Sequence, residues 1–414
     1  MLSQKTIEII KSTVPVLEVH GTKITTVFYK NMFAAHPELL NIFNHTNQKQ
    51  GRQQTALANT VLAAAKNIDK LETILPVVHQ IAHKHRSLAV KAEHYPIVGK
   101  FLLQSIKEVL GEAATDEIIN AWAEAYGVIA DVFITIEKEM YTEAENQEDG
   151  WSDYKNLKVI DKVMESECIT SFYLAAEDES SLPAFKPGQY ISIRLSIPGE
   201  QFLFNRQYSL SASPNKKYYR ISVKKEAESS KPAGRVSNYL HDKINIGDII
   251  EATAPAGEFT LNNPSEGKKL VFLSGGVGIT PFMSMLNDIA DKQLNLEVNF
   301  VHAARNGKVQ AFKKELQELK GKLPNFHLSY LYDAPSEEDQ KDIHFRKAGF
   351  IDTEWLKSNI ANKNADYYLC GPVPFLKNIL SALKELGVDD ASIHYEFFGP
   401  SVNFENEKPA LIRE

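Results

Sequence analysis

The chain has 414 residues, too many for one hydrophobic core, so two to three domains are expected. Apolar residues make up 43% and charged residues 24%, which is the composition of a globular protein. The formal net charge of −7 disfavours nucleic acid as a main partner, because it leaves no basic footprint.

Residues 1–147 show the periodicity of successive helices and are predicted to form an all-α domain. Single helices are marked by Ile7, Ile10, Val14 and Leu17, by Ile97, Phe101 and Ile106, and by Trp122, Tyr126, Ala130, Phe133 and Met140. Pro37 and Pro96 stand where helices can begin, since a proline in the first turn loses no intrahelical hydrogen bond. The polar stretch 143–150 ends this region, and the linker is assigned to 148–153.

The remainder of the chain reads as strands first and then as alternating strands and helices. Short strand-like runs, separated by Gly, Pro and Ser, lie at 169–174, 190–195 and 218–223. They predict a small antiparallel barrel over 154–264. Buried strands between helices are predicted at 270–273, 298–301, 328–331 and 367–369. They predict an α/β domain with a parallel sheet over 265–414.

The helical region contains one candidate metal-ligating histidine, His85. Val78 and Ile81 share an apolar helix face with it, although a lone histidine on such a face is more often a core residue than a ligand. His79 and His83 form a rival i,i+4 pair of the kind that binds zinc. At about 100° per residue His83 points away from His85, so the three histidines cannot surround one ion on a straight helix.

Glu137 is a carboxylate within an apolar pattern. It follows Phe133 by four residues and precedes Met140 by three, which places it on or beside the apolar stripe of the last helix. Burial there is costly unless another group donates a hydrogen bond to the carboxylate. The spacing leaves two alternatives open: a buried, partnered carboxylate, or one at the edge of the stripe that reaches water.

This helical third resembles the globin domain of flavohaemoglobins. The resemblance rests on Phe43 after the 37–42 stretch, on Gln53 and Leu57 of one helix, and on the Lys84–His85 pair. It implies that Phe43 packs on a haem and that His85 is the axial ligand of its iron.

The same resemblance assigns roles on both sides of the haem. It implies that Tyr29 hydrogen-bonds O2 with Gln53 nearby, whereas spacing alone makes Tyr29 an ordinary core residue. It also implies a hydrogen-bond network of Tyr95 and Glu137 with His85. A carboxylate partner makes the imidazole a stronger electron donor to iron, which suits O2 activation better than storage.

The segment 206–209, Arg-Gln-Tyr-Ser, offers a guanidinium for a phosphate, an aromatic ring and a hydroxyl for a flavin. It lies between 187–190, Pro-Gly-Gln-Tyr, and 234–237, Gly-Arg-Val-Ser, where a helix opens whose free N–H groups suit a diphosphate. In this order the three segments resemble the FAD domain of the ferredoxin–NADP reductase superfamily. The implied FAD residues are Tyr190, Arg206, Gln207, Tyr208, Ser209, Gly234, Val236 and Ser237.

Residues 268–281 are an apolar strand, a glycine-rich turn and the start of a helix, an arrangement that suits a pyrophosphate. The motif is not G-x-G-x-x-G, and a purely structural turn is the alternative. The reductase superfamily has a similar turn ending in Thr-Pro, and a Cys-Gly-Pro segment like 370–372 near the nicotinamide. The implied nucleotide residues are Gly275, Gly276, Val277, Gly278, Ile279, Thr280, Pro281 and Cys370. A buried, inert thiol is the alternative for Cys370.

The segment 396–400 resembles the family segment that approaches the flavin from the nucleotide domain. Its residues are Glu396, Phe397, Phe398, Gly399 and Pro400. Family members often differ at the position of Phe397, and Glu396 is alternatively a surface carboxylate at a strand end.

The order of the three domains resembles a flavohaemoglobin over essentially the whole chain. This implies haem b, FAD and NADH or NADPH as cofactors, and nitric oxide dioxygenation of NO with O2 to nitrate. An NAD(P)H-dependent reductase of peroxides, lipid hydroperoxides or NO would use the same residues. A gas sensor or O2 carrier would need no reductase.

The setting of the protein is also predicted. Only two cysteines, Cys168 and Cys370, occur, which fits a reducing cytoplasm rather than a disulfide framework. We recognise no signal peptide and no apolar run near the roughly 18 residues of a membrane span, so no stable membrane anchor is expected. A monomer is expected, and apolar volume beside the haem would admit a lipid chain.

Overall fold

The structure is a computed structural model, and the residues it describes are 2–215, 217–227, 233–261, 267–360, 362 and 364–399. The chain divides into two compact units. The first contains Met1–Lys155, Ser192–Arg206 and Glu251–Ala256. The second contains Asn156–Ile191, Gln207–Ile250 and Gly257–Glu414.

Helices form the first unit up to residue 146. They are α1 (Gln4–Ser12), α2 (Val14–Ala35), α3 (His45–Lys49), α4 (Arg52–Lys66), α5 (Leu75–Ser87), α6 (His94–Leu110) and α7 (Asp116–Asn146). Side chains cap three of the starts: Ser3 accepts from the Thr6 amide, Asn44 from the Thr46 and Asn47 amides, and Thr115 from the Ile118 amide. A buried apolar cluster between these helices contains Phe28, Met32, Phe101 and Trp122.

The prediction of a single first helix is wrong, because the apolar pattern there spans two helices. Helix α1 ends at Ser12 and α2 begins at Val14. Pro15, in the first turn of α2, has no amide hydrogen and its ring would crowd the carbonyl of the preceding turn. Ile10 and Leu17 are nevertheless buried in the same cluster, which explains why the spacing looked continuous.

Helix α7 is long and apolar enough to cross a membrane by length and composition alone. Trp122 and Phe133 on this helix are buried inside the protein, as is Glu137. Trp122 and Phe133 belong to the buried apolar clusters of the helical region.

The three predicted antiparallel strands are present and belong to a six-stranded sheet. In chain order its strands are β1 (Tyr154–Met164), β2 (Ile169–Ala176), β3 (Tyr190–Leu195), β4 (Phe204–Ser209), β5 (Tyr219–Lys224) and β6 (Ile249–Thr253), and in the sheet they lie in the order β4-β3-β6-β1-β2-β5. Strands β1, β2 and β5 pair antiparallel, as do β3 and β6. A bridge between Leu210 and Ile221 joins the two ends of the sheet and closes it into a barrel. Helix α8 (Arg235–Lys243) lies between β5 and β6 in the chain.

The last region is a parallel sheet with helices between its strands. Its elements are β7 (Lys269–Gly275), α9 (Thr280–Asp291), β8 (Val298–Ala304), α10 (Lys313–Lys322), β9 (Phe326–Tyr332), β10 (Phe345–Ala348), α11 (Thr353–Asn359), β11 (Ala365–Cys370), α12 (Val373–Glu385) and β12 (Ile393–Glu396). The order is β10-β9-β8-β7-β11-β12, with parallel pairing throughout. All four predicted inner strands are confirmed.

This sheet has a topological switch point, since β7 pairs with β8 on one side and with β11 on the other. Ligands of open α/β sheets bind at such points, beyond the carboxyl ends of the strands. Short 3₁₀ helices lie at Pro37–Asn41, Leu71–Ile74, Gly111–Ala113, Gly276–Ile279, Asp339–Lys341 and Asp390–Ser392.

Candidate redox sites

Three helices bring together the side chains of the predicted proximal haem site. His85 lies in the last turn of α5, Tyr95 in the first turn of α6 and Glu137 on α7. The Nδ1 atom of His85 is 2.7 Å from Oε1 of Glu137, and the Tyr95 hydroxyl donates to the same oxygen at 2.6 Å. The hydrogen bonds expected from the resemblance are therefore present.

This arrangement decides which alternative holds for Glu137. Glu137 is only 3% exposed, so it is the buried, partnered carboxylate and not one that reaches water at the edge of the apolar stripe. A carboxylate oxygen at hydrogen-bond distance favours the His85 tautomer with hydrogen on Nδ1. The lone pair of Nε2, on the other edge of the ring, then remains for a metal.

The partners of Tyr95 keep it a hydrogen-bond donor. Burial, and next the negative charge of Glu137, raise the pKa of Tyr95 far above its ordinary value, so the phenol stays protonated at neutral pH. The Tyr126 hydroxyl donates to the Tyr95 carbonyl at 2.6 Å and holds the start of α6.

The rival zinc site finds no support in the structure. Among the described residues, no group of three or more His, Cys, Asp and Glu side chains is placed to hold a metal ion. The i,i+4 pair of His79 and His83 therefore acquires no third ligand of this kind.

The predicted distal residues lie in an aromatic cluster. Tyr29 on α2 is buried, with its ring centroid 5.7 Å from those of Phe33 and Phe43. Burial raises the pKa of Tyr29 well above its ordinary value. Leu57, on α4, packs against the same cluster.

The residues of this region fit a haem. Within the part of the chain that the structure describes, the Oε1 atom of Gln53 is buried without a hydrogen-bond partner. A buried acceptor of this kind carries a desolvation cost, which a hydrogen-bond donor in the pocket would remove. The Lys84 carbonyl accepts from the Ser87 hydroxyl at 2.9 Å, which closes the end of α5 next to His85.

The predicted flavin residues lie on β3 and β4 of the barrel. Tyr190 begins β3 and is buried, and a Cβ on Gly257 would lie 2.8 Å from its ring. Gly257 also has a φ of +111°, so both its backbone and the close ring require glycine. On β4 Ser209 is buried, Arg206 and Tyr208 are partly buried and Gln207 is exposed.

The helix predicted after residue 234 is α8, and Gly234 directly precedes it. Within the described residues, no side chain caps its first turn. Ser237 instead donates to the Gly234 carbonyl at 3.2 Å, and Val236 is buried. The first amides of α8 are thus of the kind that receives a diphosphate.

The predicted nucleotide turn packs against the end of β11. A Cβ on Gly278 would lie 2.3 Å from the Cys370 carbonyl, so only glycine permits this approach. Gly276 has a φ of +54°, which glycine adopts readily. Thr280 and Pro281 form the first turn of α9, where the Thr280 hydroxyl donates to the Val277 carbonyl at 3.0 Å. These residues form a close, helix-terminated cradle that fits a pyrophosphate.

Cys370 is fully buried, at the level of Glu396 on the neighbouring strand. Burial, and second the negative charge of Glu396, raise the pKa of the Cys370 thiol well above its ordinary value. The thiol is therefore neutral and is no nucleophile.

The predicted segment 396–400 lies at the end of β12. Glu396 is partly buried and Phe398 is 46% exposed. Phe397 and Gly399 follow the end of β12, and Pro400 lies outside the described residues.

Arg86 and His302 are among the buried polar residues that the sequence did not predict. Arg86, beside His85, is 3% exposed and donates to the carbonyls of Ala254, at 3.0 Å, and Pro255. No local signal marks an arginine as buried. His302 is 1% exposed, with Nδ1 2.7 Å from the Ser274 hydroxyl, and its position inside a predicted buried strand was a usable signal.

Comparison with known proteins gives matches along the whole chain. The family models are Globin over residues 26–133, Oxidoreductase FAD-binding domain over 156–261 and Oxidoreductase NAD-binding domain over 272–380. A flavohemoprotein of Bacillus thuringiensis subsp. konkukian is 55% identical over 405 residues, covering 98% of this chain and 100% of that protein.

Solved structures agree with these matches. The flavohemoglobin of Malassezia yamatoensis, with bound FAD and heme, has a TM-score of 0.84 at 26% identity and covers 96% of this chain and 100% of its own. The FAD/NAD-binding domain of nitric oxide dioxygenase from Vibrio cholerae has a TM-score of 0.55 at 34% identity. That match covers 60% of this chain and 100% of the other.

Proposed function

This chain belongs to the flavohemoprotein family and is an oxidoreductase with haem, FAD and NAD as its cofactors, and we propose that it is a nitric oxide dioxygenase. In the overall reaction, two NO and two O2 with one NAD(P)H give two nitrate, NAD(P)+ and one proton. The reductase part of this chain is similar to the FAD/NAD-binding domain of a nitric oxide dioxygenase from Vibrio cholerae.

The observation that supports this proposal most is the carboxylate on the proximal histidine. Glu137 is buried, accepts from Tyr95 and lies 2.7 Å from His85 Nδ1. This hydrogen bond increases the electron donation of the imidazole to a metal on Nε2. Strong donation favours chemistry on O2 over reversible storage.

When bound, the haem iron supplies the site of O2 chemistry, and FAD converts the two-electron donor NAD(P)H into a source of single electrons. His85 would hold the iron, and Tyr95 and Glu137 would keep its ring in one orientation. The Tyr29 hydroxyl, which burial keeps protonated, would donate a hydrogen bond to a diatomic ligand, with the Gln53 side chain nearby.

The reductase residues would bind and orient the two other cofactors. Arg206 would hold a flavin phosphate, with Tyr208 and Ser209 on the ring and the α8 amides on the diphosphate. The turn 275–278 and the first turn of α9 would hold the nucleotide pyrophosphate. A cytoplasmic location is part of the proposal, because Cys168 and Cys370 are both free thiols.

The deciding experiment follows NO with an electrode in aerated buffer that contains the haem- and FAD-loaded protein and NADH, with nitrate assayed afterwards. We expect rapid NO loss that requires both NADH and O2 and leaves nitrate. NO loss that persists without O2 would instead indicate an NO reductase. NADH oxidation that is indifferent to NO would mean that the electrons serve another oxidant, such as a peroxide.

A further inference from the structure

Arg220, on strand β5 of the barrel, is a buried arginine with no role in the sites above. It is 6% exposed. Its Nε donates to the Ser211 hydroxyl at 3.1 Å, and Nη2 donates to the Ser211 carbonyl. Ser211 follows the predicted flavin residue Ser209 by two positions. One edge of the guanidinium is thus hydrogen-bonded to the segment just after β4, the strand that carries the predicted flavin residues.

The other edge of the guanidinium reaches the α/β region of the same unit. Nη1 and Nη2 of Arg220 donate to the two carboxylate oxygens of Glu315, on α10, at 2.8 and 3.0 Å. The geometry is bidentate, the arrangement for which arginine and not lysine is suited.

Glu315 continues the connection to the helix that begins at the nucleotide turn. Its Oε1 accepts from Nδ2 of Asn287 at 2.6 Å, and Asn287 Nδ2 also donates to the Met283 carbonyl at 2.8 Å. Asn287 and Met283 belong to α9, whose first turn contains Thr280 and Pro281. A chain of hydrogen bonds therefore runs from Ser211, two residues after β4, to α9.

The backbone beside this chain is held in an unfavourable conformation. Phe312, directly before α10, has φ +60° and ψ +22°, although it is not glycine, and it is 2% exposed. Its ring centroid lies 4.9 Å from the guanidinium carbon of Arg220. Left-handed conformations of large residues persist only where the surroundings hold them, and they cluster at functional sites.

We propose that Arg220 is a positioning residue for hydride transfer from the reduced nicotinamide to the flavin. In that step a C–H bond of the dihydronicotinamide breaks, its hydrogen and both bonding electrons pass to the flavin, and the nicotinamide is oxidised. The rate depends steeply on the approach of the two rings, and a misplacement of about 1 Å costs roughly 100-fold. Through Glu315, Arg220 connects the segment after β4, next to the predicted flavin residues, to α9, whose first turn belongs to the predicted nucleotide site.

The proposal goes beyond the dioxygenase function and is independent of the oxidant at the haem. Its test therefore contains no NO and no O2. Were the dioxygenase assignment to fail, the effect on hydride transfer would still be observed.

The test uses the full-length protein loaded with haem and FAD, mixed anaerobically with NADH in a stopped-flow instrument. The variants are Arg220→Lys, which keeps the charge and loses the fork, and Glu315→Gln, which keeps an acceptor for Asn287. The matched control is Arg194→Lys, because Arg194 makes a similar bidentate pair with Glu251 between two adjacent strands of the barrel.

We expect both variants to slow flavin reduction roughly 10- to 100-fold per bound FAD. The deuterium isotope effect of labelled NADH should rise and the apparent NADH dissociation constant should stay unchanged, since the pyrophosphate turn is intact. Combined in one protein, the two changes should slow reduction no more than Arg220→Lys alone, because they break one connection. Hydrogen exchange of the α9 amides in the absence of NADH should also increase, while Arg194→Lys should alter none of these quantities.

A merely structural role predicts a different outcome. Arg220→Lys and Glu315→Gln would then lower the melting temperature and the FAD content, but the rate constant and isotope effect per bound FAD would equal those of the parent protein. That result, or equal effects in Arg194→Lys, would overturn the proposal.

Discussion

The proposed haem site and the proposed nucleotide site are built in different ways. His85, Tyr95 and Glu137 come from three helices, and side-chain hydrogen bonds define their arrangement. The nucleotide turn is one continuous segment whose shape depends on glycines, with Gly278 pressed against the Cys370 carbonyl. The first site should therefore respond to the loss of single polar atoms, and the second to the addition of a single methyl group.

Gly278→Ala is expected to have the largest effect. The added methyl would meet the Cys370 carbonyl at 2.3 Å and the Gly371 amide at 2.8 Å, so the turn must move. We expect flavin reduction by NADH to slow roughly 100-fold or more, measured anaerobically by stopped flow. Gly321→Ala is the control, because a Cβ there meets no atom within 4 Å. An unaltered rate in Gly278→Ala would argue against a nucleotide role for this turn.

Tyr29→Phe tests the loss of a single polar atom in the proposed haem site. It leaves the aromatic packing with Phe33 and Phe43 and removes only the hydroxyl. We expect O2-dependent NO consumption to fall about 100-fold, the usual effect of losing one donor to a reacting ligand. Flavin reduction by NADH should not change and is the internal control. An unchanged rate of NO consumption in this variant would contradict the proposed role of Tyr29.

Glu137→Gln is expected to have a smaller effect, because His85 and Tyr95 keep a neutral partner. The imidazole becomes a weaker donor, so we expect a roughly 10-fold loss of NO turnover and a lower iron–histidine stretching frequency in resonance Raman spectra. Glu139→Gln, at an exposed position of the same helix, is the control. An unchanged stretching frequency would mean that the hydrogen bond does not tune the ligand.

His302 provides the smallest effect, on stability rather than on rate. Burial lowers its pKa from 6.5 to about 3, so the unfolded chain binds a proton there more readily than the folded protein. Its contribution to folding is complete above pH 6.5 and is lost by about 1.4 kcal/mol per unit as the pH falls toward 3. We expect His302→Gln, which retains a partner for Ser274, to lose less stability between pH 7 and pH 5.5 in urea unfolding. Parallel curves for both proteins would contradict this.

The parts of the fold that depend on local chemistry were predictable. The strand, glycine turn and helix over 268–281 were recognised because glycine and proline restrict the backbone wherever they occur. The inner strands of the parallel sheet are buried on both faces and therefore read as apolar runs. The one clear error, the single first helix, arose because periodicity reports a buried face and not the break at Thr13 that precedes Pro15.

The sequence by itself thus determined the elements, their order and the types of side chain available for chemistry. Only the tertiary structure decided which of those side chains meet. Glu137 and His85 are 52 residues apart, and Arg220 and Glu315 are 95 apart. Spacing shows that Glu137 lies near an apolar face of its helix. That His85 is the residue it meets there depends on how α5 and α7 pack. A hydrogen bond holds only over about 3 Å, so pairs of this kind are set by packing between elements and not by the pattern within one.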